Sequence, residues 1–146
     1  MPTYTVFSPA GQLTTEQKDA IAREVTNTHS EVTGAQTFFA QVIFQEVPTG
    51  SWYMGGAPLQ QKQIYMCGNV RGGRPKEMKN RLLLQLRDVL IRNSGVRRDE
   101  VWVYINELPP SLMLEYGHVL PEPGQESAWL EGMTSEERHR LENLGK

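Results

Sequence analysis

The chain has 146 residues, 38% of them hydrophobic, with 15 basic against 17 acidic side chains and a formal charge of −2. That length suits one domain, able to bury about two-thirds of the surface its unfolded form exposes. The near-neutral balance argues against bulk binding to nucleic acid or anionic membrane, no apolar run nears the ~20 residues that cross a bilayer, and a lone Cys67 excludes an internal disulfide.

The opening Met1-Pro2-Thr3-Tyr4-Thr5-Val6 lacks the basic and apolar regions of a secretory signal, so a cytoplasmic location is expected. Tyr4-Thr5-Val6-Phe7 reads as a short strand. Thr14, with Gln17 three residues on, fits a capping box that opens a helix. Ile21, Val25, Thr28 and Val32 recur at helical spacing, and Gly34 is placed to end the helix in a left-handed turn. Phe39-Ala40-Gln41-Val42-Ile43-Phe44 reads as a second strand, closed by Pro48. Residues 51–61 carry Trp52, Tyr53, Gly55, Gly56 and Pro58, and read as a loop or short hairpin.

The pattern then recurs. Ile64-Tyr65-Met66-Cys67 is a strand, Arg71-Gly72-Gly73-Arg74 a turn, and Pro75 sits where the first turn of a helix tolerates it. Met78, Leu82, Leu86 and Val89 form the apolar stripe, Gly95 ends the helix, and Val101-Trp102-Val103-Tyr104-Ile105 is the last strand. An offset of 61 pairs Tyr4 with Tyr65, Gly11 with Gly72, Glu16 with Glu77 and Lys18 with Lys79. It also pairs Gly34 with Gly95, Val42 with Val103, Glu46 with Glu107 and Pro48 with Pro109. Matches that fall at caps, strand ends and turns point to a duplicated unit.

The expected fold is therefore α+β, an α/β sandwich built from a tandem β-α-β repeat. Residues 1–146 form one domain, with units about 2–48 and 63–109. Right-handed crossovers make the strands within each unit parallel, and two units give a four-stranded sheet with both helices on one face. The other face stays open, a physical reason to expect oligomers. Ser111 to Glu126 is rich in Pro, Gly and Glu, a second capping box stands at Thr134 and Glu137, and residues 110–146 read as a segment wrapping the core or a neighbouring subunit.

Few residues carry evident chemistry. Removal of Met1 would leave Pro2 as a secondary amine, and an α-amino group titrates near pH 7.7–8.0, so it serves as acid or base near neutrality. An ordinary processed terminus fits equally well. Arg71 and Arg74 flank two glycines, and two guanidinium forks across a tight turn suit a carboxylate, though a solvated basic turn reads the same. His29 follows Val25 by four residues, at the edge of the apolar helix face. Tyr104 lies mid-strand, and Glu115 stands between apolar neighbours, either as a base with a perturbed pKa or as a surface group. No spacing of His, Cys, Asp or Glu suggests a metal site, and no cofactor is expected.

Taken together these features resemble the tautomerase superfamily, and most closely its cis-3-chloroacrylic acid dehalogenase group. The resemblance runs through Thr26-Asn27-Thr28-His29, Ala40-Gln41-Val42-Ile43-Phe44-Gln45-Glu46, Arg71-x-x-Arg74, Val101-Trp102-Val103-Tyr104, Glu115-Tyr116-Gly117 and Pro121-x-Pro123-Gly124. The six positions that carry activity in that group are filled here by Pro2, His29, Arg71, Arg74, Tyr104 and Glu115.

The resemblance implies that Arg71 and Arg74, with His29, hold a small carboxylate substrate. It implies that Glu115 takes a proton from water positioned by Tyr104, and that Pro2 delivers a proton to substrate C2. Such an enzyme would dehalogenate cis-3-haloacrylates or hydrate acetylenic acids to malonate semialdehyde, as a homotrimer. With Pro2 neutral, the same pocket would act as a keto–enol tautomerase on 2-oxo acids such as phenylpyruvate. A non-catalytic trimeric binding protein is the third reading. The stretch from Gln36 to Phe39 and the Trp52-Tyr53 insert are expected to shape selectivity.

Overall fold

A computed structural model describes residues 2–146. Removal of Met1, on which the chemistry of Pro2 depends, falls outside the described residues.

The first unit is β1 (Thr3–Pro9), α1 (Thr15–Thr33) and β2 (Gln41–Val47); the second is β5 (Ile64–Arg71), α2 (Lys76–Ser94) and β6 (Val101–Leu108). Between them lies a small hairpin, β3 (Tyr53–Met54) and β4 (Ala57–Pro58). After β6 come a second small hairpin, β7 (Leu114–Glu115) and β8 (His118–Val119), then the short helices α3 (Glu126–Glu131) and α4 (Ser135–Glu142). The main sheet runs β2-β1-β5-β6, parallel within each unit and antiparallel where β1 meets β5.

Alternation along each strand decides the layers. Tyr4 and Val6 of β1, with Ile64, Met66 and Val70 of β5, turn to one face and are buried. There they meet Ile21, Val25 and Val32 of α1 and Leu82, Leu86, Val89 and Leu90 of α2 in a single core. Full burial of such side chains stabilises by about 1.5–3 kcal/mol each. The opposite face carries Phe7, Tyr65, Trp102 and Tyr104, and no helix covers it.

The caps follow from sequence. Thr14 and Gln17 close a reciprocal capping box on α1, and Thr134 with Glu137 does the same on α4. Gly34 and Gly95 end the two long helices at φ 77° and 70°, where a side chain would be strained. Two expectations shift. His29 is not at the edge of the α1 face but fully inside it, 2% exposed. Phe39 belongs to a 3-10 turn, Thr37–Phe39, and not to a strand. There the Phe39 and Ala40 N–H groups bond locally to Gln36 and Thr37, which removes them from any ladder. Phe38 and Phe39 instead join a second core with Leu120, Met133 and Leu141 from the C-terminal segment.

The gapless offset also breaks at one place. Tyr4 pairs with Val42, but Tyr65 pairs with Trp102, a shift of one residue. Tyr4 is accordingly buried under the helices while Tyr65 faces the open side. The left-handed glycine after each first strand shows the cause: Gly11 stands three residues before its helix cap Thr14, Gly73 only two before Pro75. The second turn is one residue shorter, so Gly73 and not Gly72 matches Gly11.

Candidate active site

Pro2 is buried at the mouth of β1, and its carbonyl accepts the Gln41 N–H at 2.9 Å. Tyr4 follows on the same face. Its register partner on β5 is Gly68, and a Cβ there would lie 2.5 Å from the Tyr4 ring. The missing side chain is the space the ring occupies. From this seat the Tyr4 hydroxyl reaches His29 Nδ1 at 2.8 Å, with the two rings edge-on.

The hydrogen bond fixes the imidazole. Burial pushes the Tyr4 phenol well above its ordinary range, with Arg74 opposing only in part, so the hydroxyl keeps its proton. Among the described residues the hydroxyl's partner is Nδ1, so the O–H donates to Nδ1 and the ring proton resides on Nε2. Burial, reinforced by the Arg74 charge, holds the His29 pKa down at about 3, so the ring is neutral at pH 7. Its Nε2 is buried and has no protein partner.

Arg71 ends β5 and is 3% exposed. The C-terminal segment covers it: Nη1 donates to the Pro121 carbonyl at 2.8 Å, and Nη2 donates to the Glu126 carboxylate. Its Nε is buried without a partner. Arg74 is half-buried and donates from Nη1 to the Arg71 carbonyl at 2.9 Å. Burial, then the adjacent Arg71 charge, lower its pKa. The turn between them is tight. The Gly72 N–H bonds the Leu108 carbonyl at 2.9 Å, and Gly73, at φ 102°, lies under Pro123 with only 2.9 Å for a Cβ.

The remaining two residues stand apart from this cluster. Glu115, on β7, lines a cleft of about 940 Å³ together with Thr3, Phe39, Gln41 and Asn69, next to the start of β1. Tyr104 lies on the open sheet face, 52% exposed, edge-on to Tyr65 at 5.2 Å. It lines a separate pocket of about 600 Å³ with Trp52 and Tyr53 of the first hairpin. One chain thus places His29 against Tyr4, Arg74 within reach of both and Arg71 beside Arg74, sets Glu115 on a cleft that Thr3 also lines, and leaves Tyr104 on the open side of the sheet.

Among the described residues no group of three His, Cys, Asp or Glu is placed to hold a metal, and no helix is long and apolar enough to cross a membrane. The groups that converge here are donors: an imidazole N–H and guanidinium N–H groups, in a place shielded from water. Such a set accepts an anion. Sequence reasoning missed Tyr4, Gly68 and Glu126. A glycine amid the β5 strand residues was the available signal for close approach of a ring.

Comparison with known proteins gives a consistent result. The model of a family described as putative oxalocrotonate tautomerase enzyme matches residues 1–134. A crystal structure of N1, a member of the cis-3-chloroacrylic acid dehalogenase family, superposes with a TM-score of 0.92 at 31% identity, covering 97% of this chain and 99% of that one. The probable tautomerase LL0574 of Lactococcus lactis subsp. lactis (strain IL1403) is 43% identical over 49 residues, 34% of this chain and 80% of its own length. A fused 4-OT, solved as an asymmetric trimer, shares the fold with a TM-score of 0.75 at 20% identity, over 80% of this chain and 94% of its own.

Proposed function

The chain belongs to the family described as putative oxalocrotonate tautomerase enzyme, and from that premise we propose that it is an N-terminal-proline enzyme adding water to a short unsaturated carboxylate. The observation that carries this reading is the pair of buried, unpartnered atoms His29 Nε2 and Arg71 Nε beside Arg74. A buried donor left unsatisfied destabilises by about 1–3 kcal/mol, so unpartnered donors on two residues that both neighbour Arg74 support a ligand with acceptor oxygens. A carboxylate is the ligand chemistry such donors take, and Arg74 supplies the balancing charge.

The steps follow charge. Glu115 takes a proton from water as its oxygen bonds to C3, and the guanidinium groups stabilise the negative charge that develops on the carboxylate side. Protonated Pro2 then delivers its proton to C2. With a cis-3-haloacrylate the product is a halohydrin, which loses HX to give malonate semialdehyde. With an acetylenic acid the product is the enol of the same semialdehyde. Tyr104 serves from a neighbouring copy in a homotrimer. Its position on the open face of its own chain supports that arrangement, as does the trimeric state of the fused 4-OT.

A second reading has its own support. Arg74 lies within reach of Tyr4, two residues from Pro2, and a neutral Pro2 would act as a general base in keto–enol tautomerisation of 2-oxo acids. The Lactococcus relative is named a probable tautomerase. Assay of the Met1-free protein, checked by intact mass, against 3-haloacrylates, propiolate and phenylpyruvate distinguishes them. Halide release or semialdehyde formation supports hydration. Phenylpyruvate turnover alone supports the second reading, and indifference of both reactions to Pro2→Ala and Arg71→Ala refutes the site.

A further inference from the structure

Resting on the carboxylate-binding reading above, we propose that Glu126 is a specificity-determining residue that tunes the site to monocarboxylates against dicarboxylates. Arg71 and Arg74 bring two positive charges to one turn. Two guanidinium groups with nothing to offset them would suit a dianion. Glu126, the first residue of α3, sets its carboxylate against Arg71 Nη2 and cancels one of those charges. His29 adds none, because its ring is neutral. Glu107 also lies within reach of Arg74's field, but it is already paired with Lys79 at 2.9 Å. Among the described side chains here, the cation of Arg74 is the one left for the substrate carboxylate, beside the proton-donating Pro2 of the proposed mechanism.

The geometry restricts Arg71 as well as its charge. Pro121 and Glu126 each take a hydrogen from one terminal nitrogen, which fixes the guanidinium and leaves its Nε–H unbonded. The segment that does this is itself fixed. Pro123 presses on the side-chain-free face of Gly73, and Gly124 turns the chain at φ 89° so that Glu126 comes back to Arg71. Burial pushes the Glu126 carboxyl up, but donation from Arg71 and its charge more than reverse this, so the group stays ionised at neutral pH. The Glu126 side chain is 34% exposed, which screens the field. Loss of one unit charge should therefore change dianion affinity by about tenfold.

Acrylate and maleate serve as probes, since maleate carries its second carboxylate at C3. Their binding to the full chain is measured by calorimetry at fixed ionic strength. Wild-type protein is expected to favour acrylate. Glu126→Gln should raise the maleate-to-acrylate affinity ratio about tenfold, while Glu126→Asp, which keeps the charge, should hold the wild-type preference. An unchanged ratio in Glu126→Gln would overturn the assignment while leaving the carboxylate site standing. An equal shift in Glu126→Asp would overturn it too, since geometry and not charge would then be responsible. Absence of acrylate binding to the wild-type chain would refute the carboxylate reading itself, and the role of Glu126 with it.

Discussion

The Tyr4 hydroxyl meets His29 Nδ1 at 2.8 Å, and neither ring sees solvent. The histidine therefore presents a defined N–H edge, set by a strand residue two positions from Pro2. Tyr4→Phe keeps the ring volume and deletes only that bond. We expect a loss of about 1–3 kcal/mol in denaturant unfolding, because Nδ1 is left buried and unpaired. Nitrogen NMR of the imidazole should then show mixed tautomers where the wild type shows one.

Gly68→Ala tests the seat of the same ring. The new methyl would sit 2.5–2.7 Å from Tyr4 carbons, so the ring must move. Overpacking of this kind destabilises by about 1–3 kcal/mol. In a Tyr4→Val background the same change should cost much less, and a double-mutant cycle in urea reads the difference.

His29 also predicts the acid limb of stability. Its pKa is about 3 folded against 6.5 for the free side chain, so below pH 6.5 the unfolded chain binds a proton that the native one refuses. Stability therefore falls as pH drops from about 6.5 towards 3, by up to about 1.4 kcal/mol per pH unit from this group. His29→Gln should flatten that slope relative to wild type in a series of urea titrations.

Arg71→Ala removes the Nε–H donor and unpairs both the Pro121 carbonyl and Glu126. One charged hydrogen bond is worth about 1.5–3 kcal/mol, so acrylate affinity should fall by about 10- to 100-fold. Calorimetry measures it directly. Stability should fall by about 3 kcal/mol, the low end for breaking a buried ion pair, because Glu126 retains some access to water.

Pro2→Ala leaves a free primary amine and the Gln41 bond to the residue-2 carbonyl. Turnover should drop by about 100-fold or more, the usual contribution of general acid–base catalysis, with little change in melting behaviour. Steady-state kinetics on propiolate, run beside thermal denaturation, checks both.

Much of the scaffold was legible because local chemistry dictated it. Thr14 with Gln17, Gly34, Gly95 and the Thr134–Glu137 box each specify a helix end through hydrogen bonds within a few residues. The shift between Tyr4 and Tyr65 was not legible. Residue identity matched at the 61-residue offset, while the facing of the strand depended on a turn one residue shorter. Glu126 was hidden for another reason. Its partner Arg71 lies 55 positions away, and only folding of the C-terminal segment over β5 brings them together. Tyr104 could be placed on its strand, but which side of the sheet faces a neighbour is not written in the alternation alone.

The first strand lies in the middle of the sheet: β1 pairs with β2 on one side and β5 on the other. Thr3, one residue past Pro2, is laddered to both Gln41 and Asn69. In a chain freed of Met1, the amine nitrogen that the proposed chemistry needs would thus be ordered when the domain folds, before any substrate arrives.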